Sequence, residues 1–410
     1  MKKNIIKLIS LVLTLALVLG SVVGCSSNEP AANADPDDSA ATDETMAQRA
    51  DEFVSVEDPA ESKYPTAEEL KANAPKIGCL HYDFTDTLGA NFKKVATYFA
   101  QEFGCEIEYI TTGLTAEASI EGVQNAIELG CDIIMTGSET PEVFQMCKDA
   151  GVIQMYTCNT IKSDSLKEFI QDYDKFAGIV CEDDYQSAYN AVATLAEEGC
   201  TNIGMMTCTP GFLDLIDNRT RAALQAIEDL GLNLVVDYYA NPMNMAYGET
   251  LSQWLTLYPE MDGVIALGSD GSLTSAAYAE GAQDRIKIAQ FDIVSGTDQA
   301  IKDGLVVWCA TGQANSLFVS LILAYNLWMG DDLLEDNTQV LLRPFLEIKG
   351  PESYNNYIKY AEGEIPYFTG EELKSYIKAW NPDITIDDIL ELNANYTIED
   401  VTTRHADLFE

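Results

Sequence analysis

From residue 76 onward the chain alternates between two hydrophobic rhythms. "KIGCLHY" is a short unbroken apolar run. After it, Phe92, Val95, Ala96, Phe99 and Phe103 recur at three- and four-residue intervals, which places them on one face of a helix. The pair of patterns then repeats. "CEIEYI" precedes a helical stretch from Ile120 to Leu129, "CDIIMT" precedes one from Pro141 to Ala150, and "GVIQMYTC" closes the series. A second series runs through "FAGIV", "TNIGMMT", "NLVVDYYA", "DGVIALG", "IKIAQFD" and "LVVWCAT". The helical patterns between these runs start near Tyr185, Asn218, Ala246, Gly271 and Ile301. Strands alternating with helices predict βαβ units around a parallel sheet. Gly104, Gly130, Gly151, Gly199 and Gly231 fall at or near helix-to-strand junctions, where a left-handed cap ends a helix. Two such series predict an α/β protein of two doubly wound lobes, with ligands gathering at the carboxyl ends of the strands in the cleft between them.

The two ends of the chain break this rhythm. Lys2, Lys3 and Lys7 give a positive start and the stretch from Ile5 to Val23 is otherwise apolar, the layout of a secretory signal that is removed from the fold. "VVGC" at 22–25 is similar to the lipobox of bacterial lipoproteins, which would make Cys25 the acylated first residue of the mature chain. The competing readings are an ordinary signal or a membrane-spanning helix, and the apolar core is near the lower limit for spanning. Residues 26–74, with "NADPDDSAATDET", are too polar and acidic to build a core and are expected to be a disordered tether. At the other end, residues 350–410 hold three short helical patterns, "EELKSYIKAW", "IDDILELNANY" and "IEDVTTR", with turns at Pro366 and Pro382. They carry too few apolar residues to fold alone and are expected to wrap the lobes.

Charge narrows the possible partners. With 24 Lys and Arg against 66 Asp and Glu the net charge is −42, and loss of the three signal lysines takes it to −45. Such a surface repels phosphate backbones, so no nucleic-acid partner is expected. Besides Cys25 there are nine cysteines and no CxxC pair; we expect mostly free, buried thiols, which suits a reducing habitat. No cofactor or metal motif is present. Asp183 and Asp184 read as a helix start, because regular oxygen-ligand spacing is missing around them. With two histidines, no GxSxG, no phosphate loop and no GxGxxG, the common hydrolase and nucleotide signatures are absent, and no enzyme is expected. The remaining enzymatic alternative is a surface glycosidase using a carboxylate pair.

The order and spacing of "DIIMTGSETPEVFQMCKDAGV", "IVCEDDYQSAYNAVATLAEEG", "YPEMDGVIALGSDGSLTSAA", "IKIAQFD" and "IKDGLVVWCATGQ" resemble the type I solute-binding proteins of ABC transporters, in the ribose- and galactose-binding branch, over roughly residues 76–331. The resemblance implies three crossovers between lobes, with residues 76–176 plus 314–340 forming the N-terminal lobe and 177–313 plus 341–349 the C-terminal lobe. It implies a small polar ligand, a sugar first of all, delivered to the permease subunits of an ABC importer by a monomeric, lipid-anchored extracytoplasmic protein. A sensory lipoprotein for an autoinducer, a nucleoside or a similar ligand is the alternative. A sugar presents hydroxyls and C–H faces, which carboxylates, amides, Arg and aromatic rings recognise.

The resemblance places ligand contacts on the strand-end loops. Tyr82, Phe84 and Asp86 lie in "HYDFTD" together with His81 and Asp83, although the family's Asn-Pro-Phe-Phe pattern is missing and Tyr82 and Phe84 could equally be core. Asn159 stands where sugar binders often carry an Asp-Arg pair. Arg219 in "IDNRTRAAL" matches a ligand-contacting arginine, with Arg221 as competitor. Ser269 and Asp270 occupy an Asn-Asp position, Asp270 also serving as a helix cap. Asp292 matches the binding aspartate, and Gln313 the polar hinge residue.

Overall fold

Each apolar run becomes a strand, and the strands sort into two sheets. The structure is a computed structural model that describes residues 64–211, 213–241, 244–268, 271–363 and 365–409. The leader with Cys25 and residues 26–63 of the expected tether lie outside the described residues; the rest of the tether is ordered, with a helix Ala67–Ala72, capped by Thr66, that buries Ala67 and Leu70.

The first series gives β1 (Lys76–His81), β2 (Glu106–Thr111), β3 (Ile133–Thr136), β4 (Ile153–Thr157) and β5 (Phe176–Glu182). The second gives β6 (Asn202–Cys208), β7 (Asn233–Ala240), β8 (Gly263–Ala266), β9 (Lys287–Phe291) and β10 (Val306–Thr311). β11 (Val340–Arg343) and β12 (Leu346–Ile348) follow. The first sheet runs β11-β5-β4-β3-β1-β2 and the second β12-β10-β9-β8-β6-β7. Every pair is parallel except β10 with β12. β3, β4, β8 and β10 are buried along their whole length, as expected of parallel strands covered by helices on both faces. The edge strands β2 and β7 stay partly exposed.

The chain crosses between the sheets three times. It leaves the first sheet after β5 and returns through residues 312–315 into the helix Ser316–Trp328, which packs on β4 and β5. It crosses again at Pro344–Phe345. Two of the expected boundaries move as a result. The strand "FAGIVCE", read as opening the second lobe at residue 177, pairs with β4 and stays in the first sheet. The segment "LLRPFLEIKG", read as one strand of the second lobe from 341, splits at Pro344. Its first part pairs with β5 and its second with β10. A proline cannot donate to a ladder, so it breaks the strand where the chain must change sheets.

The C-terminal segment wraps as expected. Its helices Gly370–Ser375, Ile386–Ala394 and Ile398–Arg404 contribute Leu373, Ile389, Ile398 and Val401, with Tyr357, Tyr367, Phe368 and Tyr396 from the segments between, to the same apolar cluster that underlies the lobes. Ile386–Ala394 packs on β11 and Ile398–Arg404 on β12, so the extension touches the last strand of each sheet. The nine described cysteines are all free, and seven are buried. Burial pushes the Cys79 and Cys147 thiols up to about 12.

Candidate functional site

The expected residues stand on the loops that follow the strands of the two sheets, and each is held there by different partners. In the loop after β1, Asp86 caps the helix Thr87–Phe103 by accepting from Gly89 N at 2.7 Å, and it also receives the Tyr82 hydroxyl. Asp83 accepts from the Thr85 backbone and hydroxyl at 2.8 and 2.7 Å. Both acids are therefore fixed by local turn bonds. Phe84 stands edge-on to Tyr109 at 5.3 Å and tilted against His81 at 5.6 Å, a packing role. Burial lowers the His81 pKa, with Asp86 and Asp83 opposing the shift. Tyr82 is 36% exposed, which leaves its ring available to a ligand. Its hydroxyl is held protonated by burial, by the bond to Asp86, and by the negative charge of Asp292 from the second sheet.

Asp292 follows β9 with φ 66°, left-handed backbone that a non-glycine residue adopts only when its surroundings enforce it. The restraints are visible. Its N–H donates to Ala310 O at 2.9 Å, and its own carbonyl accepts from Gln290 Nε2 at 3.1 Å and from Cys309 Sγ at 3.3 Å. Gln290 is in turn tied to Thr297 Oγ1 at 3.0 Å. The strain aims the carboxylate at Gln313, whose Nε2 donates to Oδ1 at 2.5 Å. Asp292 and Gln313 thus form one polar unit beside the second crossover. Asn159 donates to Gly137 O at 3.0 Å and ties the ends of β3 and β4 together. Ser269 and Asp270 lie outside the described residues.

Arg219 takes a different place from the one its sequence position implies. It is 5% exposed, its Nε donates to Asp184 Oδ1 at 2.7 Å and its Nη1 to Leu267 O at 2.9 Å, and the guanidinium lies 3.8 Å from the Phe291 ring centroid. The group is occupied by the protein, and it buttresses the strand that ends at Asp292. Burial raises the Asp184 pKa while Arg219 opposes the rise. Sequence reading took Asp183 and Asp184 together as a helix start. Both stand there, Asp183 as the cap that accepts from Gln186 N at 2.9 Å and Asp184 as the first helical residue. Nothing local could reveal the Asp184 pairing, since the partners are 35 residues apart. Arg221 faces outward, beside Asn218 at 3.0 Å.

Two further features escaped the sequence. Lys162, beyond β4, forms an ion pair with Asp214 at the start of the helix Asp214–Asp229, so the rim of one lobe is fastened to the other. Glu139 Oε1 holds the Lys162 and Ser163 amides at 2.7 and 2.6 Å. At the end of β5, Glu182 has Oε1 sealed from solvent without a hydrogen-bond partner among the described residues. Burial, reinforced by the charge of Asp184, pushes its carboxyl up to about 7. The cleft thus offers a constrained carboxylate, an amide and a phenol ring, a set that accepts and donates to hydroxyls and stacks on C–H surfaces.

No protein-family model and no curated protein matches the chain. Among solved structures, an ABC transporter periplasmic solute-binding protein from Actinobacillus succinogenes with bound D-allose aligns with TM-score 0.60 at 16% identity, over 68% of this chain and 99% of that one. The binding-protein component of an arabinose ABC transporter from a Shewanella species, bound to arabinofuranose, aligns with TM-score 0.59 at 16% identity, over 70% and 96%. A solute-binding protein from Bacillus halodurans with bound myo-inositol aligns with TM-score 0.52 at 20% identity, over 69% and 96%. These matches show the fold, two parallel-sheet lobes of the type I periplasmic-binding kind. They are covered almost whole while about a third of this chain is not, so it carries segments beyond the shared fold.

Proposed function

We propose that the chain is an extracytoplasmic solute-binding protein that captures a sugar or polyol between its lobes and hands it to an ABC importer, with Cys25 as its lipid anchor and the permease subunits as its partners. It is a binder and not an enzyme. The observation that supports it is Asp292, a carboxylate on left-handed backbone at a strand end, hydrogen-bonded to Gln313 of the second crossover. The bound sugars and polyol of the structural neighbours support the ligand class.

The test is thermal shift followed by calorimetry with D-allose, L-arabinose and myo-inositol on the wild type and on Asp292→Ala. A hydrogen bond to a charged group is worth about 1.5–3 kcal/mol, so losing two costs roughly a hundredfold or more in affinity. At least one of the three should stabilise the wild type, and the variant should lose that response while remaining folded. Wild-type affinity in folded Asp292→Ala would remove Asp292 from the site. Turnover of glycosides in place of binding would overturn the reading in favour of an enzyme.

A further inference from the structure

The places where the lobes join are also where the C-terminal extension is most tightly seated. Tyr396 is 1% exposed, and its hydroxyl donates to Gly312 O at 2.7 Å while accepting from Asn315 Nδ2 at 2.9 Å. Both partners belong to the second crossover. The Tyr396 ring lies 3.6 Å from the guanidinium of Arg343, which is fully buried at the start of the third crossover and donates from Nη1 to Asn315 O at 2.8 Å. Arg343 O receives the Asp183 N–H of the first crossover at 2.7 Å. A second tyrosine of the extension, Tyr357, shares a hydrogen bond with Thr311 Oγ1 at 3.1 Å. Tyr396 therefore touches the second and third crossovers directly and reaches the first through Arg343.

Gly312 shows how closely the parts are matched. Its φ is 82°, which favours glycine, and a Cβ built there would fall 2.6 Å from Tyr396 Oη and 2.8 Å from Leu346 Cγ. Residue 312 is thus shaped both for the turn and for the tyrosine against it.

We propose that the extension is a hinge brace. By seating Tyr396 on Gly312, Asn315 and Arg343, it holds the crossovers in the conformation where the lobes meet, and so sets the resting balance between closed and open forms. Opening a two-lobed protein requires dihedral change at the crossovers, and here any such change strains or breaks buried hydrogen bonds made to the extension. A brace of this kind raises the closed population before ligand arrives, and apparent affinity scales with the fraction already competent. The proposal rests on the two-lobed binder reading, but its test needs no ligand, so a failure of the sugar assignment leaves it intact.

The experiment compares full-length wild type, Tyr396→Phe and Tyr396→Ala without ligand. It uses solution X-ray scattering for the radius of gyration, amide exchange by peptide, and the unfolding midpoint. Tyr396→Phe keeps the ring on Arg343 and deletes only the hydroxyl. It should expand the protein and raise exchange at residues 311–316 by roughly fivefold to tenfold, with β3 and β8 unchanged. Should Tyr396→Ala fail to fold, Tyr396→Phe still decides. A wild-type radius and exchange pattern in folded Tyr396→Phe overturns the brace. So does a uniform rise in exchange that simply follows a lower midpoint, since that marks ordinary packing.

Discussion

Glu182 is the residue in the cleft region whose charge the fold tolerates least. Its carboxyl ordinarily titrates at 4.5, and burial beside Asp184 raises it to about 7, although Arg343 and a bond from Ser316 pull the other way. Because folding raises this pKa, the fold favours the protonated form. That contribution to stability is complete below about 4.5 and is lost as pH rises through about 7. Glu182→Gln stays neutral at every pH, so the variant should lose less stability than the wild type between pH 5 and pH 8. Thermal unfolding across that range checks it, and equal slopes would assign the pH dependence to another group. Asp292 and Glu182 therefore differ in kind. The first is strained in its backbone and anchored by Gln313, while the second is relaxed in its strand but poorly solvated.

At the scale of elements, the rim pair Lys162–Asp214 links the segment after β4 to the helix Asp214–Asp229. Its side chains are 57% and 35% exposed, so its worth is that of a surface pair, roughly 0.2–1 kcal/mol. Lys162→Ala should leave the unfolding midpoint nearly unchanged. It should speed release of bound sugar by up to about fivefold, which stopped-flow dissociation would measure. An unaltered release rate would mean the pair does not fasten the closed form. The contrast between what was and was not legible in the sequence also belongs to this scale. Strands such as "CDIIMT" and helices such as Pro141–Ala150 were legible because their periods are local. Membership of a sheet is not local: "FAGIVCE" looks the same whichever sheet it joins, and only its pairing with β4 decides. The resemblance singled out Asp292 and Gln313, and their hydrogen bond to each other across 21 residues was not legible. The burial of Arg219 against Asp184 and the seating of Tyr396 on Gly312, 84 residues away, leave no periodic trace.

For the whole molecule, the net charge of −42 bears on where it can reside. An acidic body is repelled by an anionic bilayer surface, so charge would not hold it at a membrane, and the anchor proposed above at Cys25 is what the next experiment tests. Cys25→Ser should therefore release the protein into the medium or leave it unprocessed, as judged by cell fractionation and the mass of the mature N-terminus. Unchanged membrane retention with no lipid on that terminus would refute the anchor. The nine free thiols give the molecule one more property. In the native body seven are buried and two half-buried, and burial makes them hard to ionise, whereas an unfolded chain exposes them together. A brief pulse of an alkylating reagent would then sort molecules by mass into sparsely labelled and fully labelled peaks, so that the protein serves as its own stopwatch for global opening.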